Sequence, residues 1–184
     1  MARTPSNMLP LGTSAPDFKL QDTISDKLMT LNDLQGLNGT VIMFICNHCP
    51  FVIHVNEVLV RIANTYLNKG ISFVAISSND VVNYPQDSPE NMKKTAKDLG
   101  YPFPYLYDES QDIAKSYDAA CTPDIYLFDR DLSLIYRGQL DDSRPGNGIP
   151  VTGKDLINAI DCLLTGNEKK STQKPSIGCN NKWK

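Results

Sequence analysis

Two stretches of the chain are apolar almost without interruption: Val41-Ile42-Met43-Phe44-Ile45-Cys46 and Ile71-Ser72-Phe73-Val74-Ala75-Ile76-Ser77. Such runs predict strands buried on both faces, at about 41–46 and 71–77. Between them the period changes to that of a helix, over about 48–68. Phe51, Val55, Val58, Leu59, Ile62 and Tyr66 share one face of it, and His54, Glu57, Arg61, Asn64 and Asn68 share the other. Lys69-Gly70 ends the helix. A strand–helix–strand order makes the two strands parallel neighbours, because parallel pairing needs a crossover.

Shorter signals surround this unit. Ala15-Pro16-Asp17-Phe18-Lys19-Leu20 alternates like a half-buried strand, with Leu28-Met29-Thr30-Leu31 as its hairpin partner. Asn32 or Asp33 caps a short turn before Gly36. After a polar loop, Ser88 and Pro89 open a helix that runs to about Leu99, as N-cap and first helical residue. A short strand at 103–107 and a short helix at 110–117 follow. Asp124–Asp129 and Leu132–Tyr136 form a hairpin, and a last helix spans about 153–164 with Leu156, Ile157, Ile160, Leu163 and Leu164 inward. Residues 1–12 read as a flexible leader. Residues 166–184 read as a solvated tail, including Lys169 to Lys174, with Ile177-Gly178-Cys179 and Trp183 as candidates to dock back on the body. No repeat and no second boundary is visible, so 1–184 is a single α/β domain.

Composition narrows the function. A chain of 184 residues, 41% hydrophobic and 21% charged, builds one sizeable core. A net charge of −3 offers nothing to nucleic acid or an anionic membrane. No apolar run approaches the ~18 residues that span a bilayer. The first ten residues lack a signal-peptide stretch, which makes the cytoplasm the expected compartment. The cysteines are Cys46, Cys49, Cys121, Cys162 and Cys179. An odd count suits a reducing compartment with one working pair rather than a disulfide framework.

That pair is Cys46-Asn47-His48-Cys49, set where the first central strand meets the long helix. A C-x-x-C in that position reads as a redox motif. A helix N-terminus has free N–H groups and partial positive charge, and favours an anion by about 0.3–1 kcal/mol, up to ~2. On this reading Cys46 is a stabilised thiolate, nucleophilic near neutral pH, and His48 tunes it when protonated. Cys49, almost one turn on, lies close enough to form a disulfide after modest backbone adjustment. Pro50 sits in the first turn, where its missing N–H costs little.

With these residues in place the chain resembles the thioredoxin-like superfamily, in the branch shared by AhpC/TSA-type redoxins and TlpA/ResA-like oxidoreductases. The resemblance rests on the opening Ala15 to Leu20, on the strand–C-x-x-C–helix at 41–68, and on Thr122-Pro123 ahead of the strand Ile125 to Phe128. It covers most of residues 12–164. It implies a central mixed β-sheet flanked by helices, an N-terminal β-hairpin extension, and an insertion at about 80–105 between the second core strand and a cis-proline loop. It also implies that Pro123 is that cis-proline, holding Thr122 beside Cys46 to position an extended substrate segment. The sequence departs from two family patterns. Ile45 stands where thioredoxins carry tryptophan, and no carboxylate lies between Val41 and Cys46 to relay a proton. Gly39 and Met43 stand where peroxiredoxins carry a proline and a threonine or serine.

The expected function is a thiol–disulfide oxidoreductase in which Cys46 attacks a substrate disulfide and Cys49 resolves the mixed disulfide. Its partners are a disulfide-bearing protein, or a small thiol or peroxide, and a dithiol reductant. No cofactor is implied. The alternative is a peroxiredoxin-like peroxide reductase, an antioxidant, with Cys46 as its peroxidatic thiol. A third reading is a non-catalytic binding module on the same scaffold. Cys121, next to Thr122-Pro123, is a candidate regulatory thiol or a buried loop residue. Arg144 either steers an anionic substrate or belongs to a turn held by Asp and Ser side chains. His54 reads as solvent-facing, Cys162 as inert, and Cys179 as a residue that resolves or caps the site or does nothing. Zinc held by Cys46, Cys49, His54 and Cys121 is disfavoured, because His54 lies on the polar face of the helix.

Overall fold

The computed structural model describes residues 3–167 and 173–184. The strands are β1 (Arg3–Pro5), β2 (Lys19–Asp22), β3 (Leu28–Thr30), β4 (Gly39–Phe44), β5 (Ile71–Ser77), β6 (Tyr105–Tyr107), β7 (Cys121–Thr122), β8 (Asp124–Asp129), β9 (Leu134–Gly138) and β10 (Ile177–Asn180). The helices are α1 (Leu31–Leu34), α2 (Pro50–Tyr66), α3 (Pro89–Leu99), α4 (Asp112–Ser116) and α5 (Lys154–Thr165). Seven strands form the central sheet in the order β3-β2-β6-β5-β4-β8-β9, and β1-β10-β7 form a smaller one.

In the sheet β4 is central, parallel to β5 and antiparallel to β8. All six of its residues are buried because both faces are covered. Val41 and Met43 point to one side, where Val52, Val55, Leu59 and Ile62 of α2 and Leu156 and Ile160 of α5 pack. Ile42 and Phe44 point to the other, with Leu31 of α1, Ala114 of α4, and the rings of Tyr117, Tyr126 and Phe128. Each fully buried side chain of this size contributes roughly 1.5–3 kcal/mol. The apolar stripe on α2 is rotated slightly from the expected one: Val52, Asn56 and Ala63 are buried, and Phe51 and Val58 only partly. Helix α2 passes into a turn of 3-10 helix, Leu67–Lys69, and stops at Gly70, whose φ of 76° only glycine adopts freely.

The hairpin β2–β3 forms, shifted a few residues from the expected strand. Thr30 rather than Asn32 or Asp33 caps α1, and Asp33 closes the box by accepting from the Thr30 N–H at 2.9 Å. Ser88 caps α3 and Pro89 is its first residue, as the sequence predicts.

Both chain ends differ from expectation. Arg3–Pro5 of the supposed leader forms β1, paired antiparallel with β10 from the supposed tail. Ser6 and Ser176 are joined there by hydrogen bonds in both directions, of 2.8 and 3.0 Å. Short strands paired across almost the whole chain leave no local period to read. Gly178 and Cys179 are buried, whereas Ile177 and Trp183 stay exposed. Of the basic run expected at Lys169 to Lys174, residues 169–172 lie outside the described residues, and Lys174 is exposed and pairs with Asp142 at 3.1 Å. No helix among the described residues is long and apolar enough to cross a membrane.

Candidate active site

Helix α2 begins at Pro50, so Cys49 is its N-cap and Cys46 stands ahead of it in the turn. This displaces the chemistry from where the sequence puts it. The helix end favours the second cysteine, not the first. The amides expected to converge on Cys46 are also diverted. Asp87 Oδ1 accepts the N–H groups of Asn47 at 2.8 Å and His48 at 3.3 Å. Its Oδ2 accepts from His48 Nδ1 at 2.7 Å and from Asn79 Nδ2 at 2.8 Å. Asp87 is fully buried, and these four donors offset the desolvation of its charge.

Cys46 is 1% exposed and Cys49 is fully buried. Thr122 touches both: its Oγ1 lies 3.5 Å from Cys46 Sγ, and its carbonyl accepts from Cys49 Sγ at 3.2 Å. The two thiols titrate as a pair. Its hydrogen bond with Cys49, burial and the Asp87 charge push Cys46 up. The S–H of Cys46, with that of Cys179 behind it, brings Cys49 down in spite of burial. The Thr122 carbonyl pulls the other way, since it needs a proton on Cys49 to accept. One thiolate is therefore shared by the pair. Val52 N–H lies near enough to Cys49 Sγ to favour its anion, although it donates its hydrogen bond to the Cys49 carbonyl at 3.0 Å.

Thr122 belongs to β7 and precedes Pro123, and the Thr122–Pro123 bond is cis, so the proline carried over by resemblance occupies the expected place. Behind this loop Arg137 and Asp124 form a fully buried ion pair, Nη2 to Oδ2 at 3.0 Å. Arg137 Nη2 also donates to Asp118 O at 2.7 Å, and Asp124 Oδ2 accepts from Ala120 N–H at 3.2 Å. The pair thereby ties both ends of the 118–124 segment that presents Thr122.

The other candidates fall out as follows. His48 stacks on Tyr84, ring centroids 5.4 Å apart, and is held by Asp87. Cys121 is buried, its thiol pushed up first by that burial and then by Asp124, and donates to Pro123 O at 3.7 Å, as a buried loop residue would. Arg144 belongs to the turn, its guanidinium donating to Asp141 O, Ser143 O and Gln139 Oε1, and it also lines a pocket beside Pro123. His54 is not solvent-facing but hydrogen-bonds Ser143 Oγ at 2.7 Å. Cys162 is half-buried.

Asp87 is the residue the sequence conceals. It sits in the 80–105 insertion beside an N-cap serine, and nothing local separates it from Asp80. Only the fold brings it to Cys46. A metal has donors here too, since Cys46 Sγ, a His48 ring nitrogen and an Asp87 oxygen lie within 4.8 Å of one another. Both Asp87 oxygens and His48 Nδ1 are already committed to hydrogen bonds, so the arrangement suits proton and charge control better than ligation. The zinc set of Cys46, Cys49, His54 and Cys121 is not assembled, since His54 and Cys121 are bonded elsewhere.

Solved structures show how widely this architecture recurs. An uncharacterized conserved protein from Geobacillus kaustophilus is 63% identical over 100% of this chain and 97% of its own, with a TM-score of 0.98. A hypothetical protein from Sinorhizobium meliloti 1021 is 48% identical over 98% of each chain, TM-score 0.95. The thioredoxin domain of a thiol-disulfide oxidoreductase from Bacteroides vulgatus shares the fold at 20% identity and TM-score 0.66, over 85% of this chain and 99% of that one. No curated protein matches the sequence. The AhpC/TSA family profile matches residues 11–137, which include β2 to β8, the dithiol and the cis-proline. The chain belongs to the AhpC/TSA family, on the thioredoxin-like fold.

Proposed function

We propose that the protein is a thiol–disulfide oxidoreductase working through Cys46 and Cys49. The observation that carries this is Thr122, whose side chain and carbonyl contact one sulfur each. A structural pair of apolar cysteines needs no such shared polar neighbour. In the reduced enzyme the shared charge rests on Cys49, and Cys46 becomes the attacking thiolate as its proton passes to Cys49. Cys46 attacks a substrate disulfide, expelling one substrate sulfur as thiolate. Cys49 then attacks Cys46 Sγ, releases the second substrate thiolate and leaves the Cys46–Cys49 disulfide, which an external dithiol reduces. Because both sulfurs are buried, access needs a local opening. An odd number of cysteines, five, suits a cytoplasmic, reducing setting for this cycle.

Thiolate absorbance at 240 nm tests the reading. Reduced protein should titrate about one thiolate per chain, with a midpoint well below the ~8.5 of a free thiol. Cys46→Ala and Cys49→Ala should each return that midpoint upward, because each removes the partner's donor. An unshifted midpoint in the unaltered protein would sink the proposal.

Asp87 should act on this titration in one direction. Its negative charge raises Cys46, so Asp87→Asn is expected to move the pair's midpoint lower, while the new amide still accepts from Asn47 and His48. Asp87→Ala should add a stability loss of about 1–3 kcal/mol, because those amides are left buried without a partner. Urea unfolding of the two variants separates the effects.

Peroxide reduction is the second reading, favoured by the family match. Gly39 and Met43, in place of the expected proline and hydroxyl residue, count against it. Stoichiometric peroxide oxidising Cys46 far faster than a free thiol would establish it.

A further inference from the structure

Cys49 has sulfur neighbours on two sides. Besides Cys46, it hydrogen-bonds the thiol of Cys179, which is 2% exposed. Cys179 arrives there on β10, in antiparallel register with β7, opposite Thr122 itself. The approach is closer than any side chain permits: a Cβ on Gly178 would stand 1.9 Å from Thr122 O. The strand is fastened beyond that contact. Asn181 Nδ2 donates to Ala119 O at 2.6 Å, Lys182 N–H to Asn79 Oδ1 at 2.9 Å, and Asp80 N–H to Lys182 O at 2.8 Å. This segment thus lies against β7 beside the dithiol and brings a third sulfur to it.

We propose that Cys179 is a third redox-active thiol, which takes over the disulfide of the active pair by intramolecular exchange. The proposal rests on the Cys46–Cys49 couple described above. Cys179, deprotonated, attacks Cys49 Sγ. The Cys49–Cys179 bond forms as the Cys46–Cys49 bond breaks, and the electron pair leaves on Cys46, which takes up the proton that Cys179 gave up. The number of disulfides is unchanged, so the step needs no outside oxidant or reductant. Its result is a Cys46 free to attack again while the chain still stores one disulfide. Attack at Cys49 rather than Cys46 follows from which sulfur Cys179 touches.

Mild diamide oxidation, proteolysis without reductant and mass spectrometry of the linked peptides test it. Unaltered protein should yield both Cys46–Cys49 and Cys49–Cys179 peptides. Cys46→Ser should yield Cys49–Cys179 alone, and Cys46→Ser with Cys179→Ser should yield neither. Gly178→Ala, which pushes the strand off Thr122, should lose the Cys49–Cys179 peptide and keep Cys46–Cys49. Far-ultraviolet circular dichroism of each variant confirms that it is folded, and Cys46→Ala replaces Cys46→Ser if the serine variant is not. Two free thiols at Cys49 and Cys179 in folded, oxidised Cys46→Ser or Cys46→Ala would overturn the proposal while leaving the dithiol reading intact. Absence of the Cys46–Cys49 peptide from the unaltered protein would instead remove the dithiol reading and the exchange with it.

Discussion

Cys49→Ser should stop turnover and leave substrate covalently attached to Cys46. Cys46 can still attack, and a serine hydroxyl cannot displace the mixed disulfide. Turnover should fall on the order of 10³-fold or more, the scale of losing one member of a set that acts together. The adduct should be visible as a mass increase that dithiothreitol removes. Cys179 does not rescue this variant, because the sulfur it contacts, that of Cys49, is gone. If Cys49→Ser turns over normally, or if its adduct sits on another cysteine, the assignment of attacking and resolving roles fails.

Asp124→Ala is expected to destabilise the protein by about 3–5 kcal/mol, because it leaves the Arg137 guanidinium charged and buried without its partner. Arg137 is wholly enclosed and packs over the Tyr126 ring at 4.5 Å. Its Nε and Nη1 already lack partners among the described residues, as does Asp124 Oδ1. For a chain of this length each kcal/mol lowers Tm by roughly 2–4 °C. Burial raises the Asp124 carboxyl in spite of Arg137, so the charged pair is itself costly to enclose. For that reason Asp124→Leu combined with Arg137→Met should be less destabilised than Asp124→Ala alone. Thermal melts of the three proteins give the comparison. A double variant as unstable as the single would show that the cost lies in packing and not in the stranded charge. The same variants report on the site, because this pair holds the segment that carries Thr122. Loss of stability should therefore be accompanied by a higher 240 nm midpoint.

Much of the scaffold was legible in order along the chain. The apolar runs at β4 and β5, the helical period between them, and Ser88-Pro89 at the start of α3 are local signals, each carried by a few adjacent residues. The dithiol at the strand–helix junction is local as well. Its electrostatics were not. Whether an amide faces a sulfur depends on which acceptor reaches it first, and here a carboxylate from a distant loop does. The start of α2 at Pro50 rather than His48 belongs to the same effect, since the amides of Asn47 and His48 turn toward Asp87 instead of capping a helix. The partner of His54 was hidden for a related reason: a polar side chain's partner is set by the loop that packs on it, and periodicity does not show that loop.

Residue order by itself determined the fold class, the two buried strands and the helix between them, and the pairing of cysteines that marks the site, because those follow from side-chain period and neighbours in the chain. Only the tertiary structure decided that Asp87 claims the amides near Cys46, that Thr122 contacts both sulfurs, and that the two chain ends pair to bring Cys179 beside Cys49. Those contacts join residues far apart in sequence, and their energies come from burial and hydrogen bonding that exist only once the chain has closed on itself.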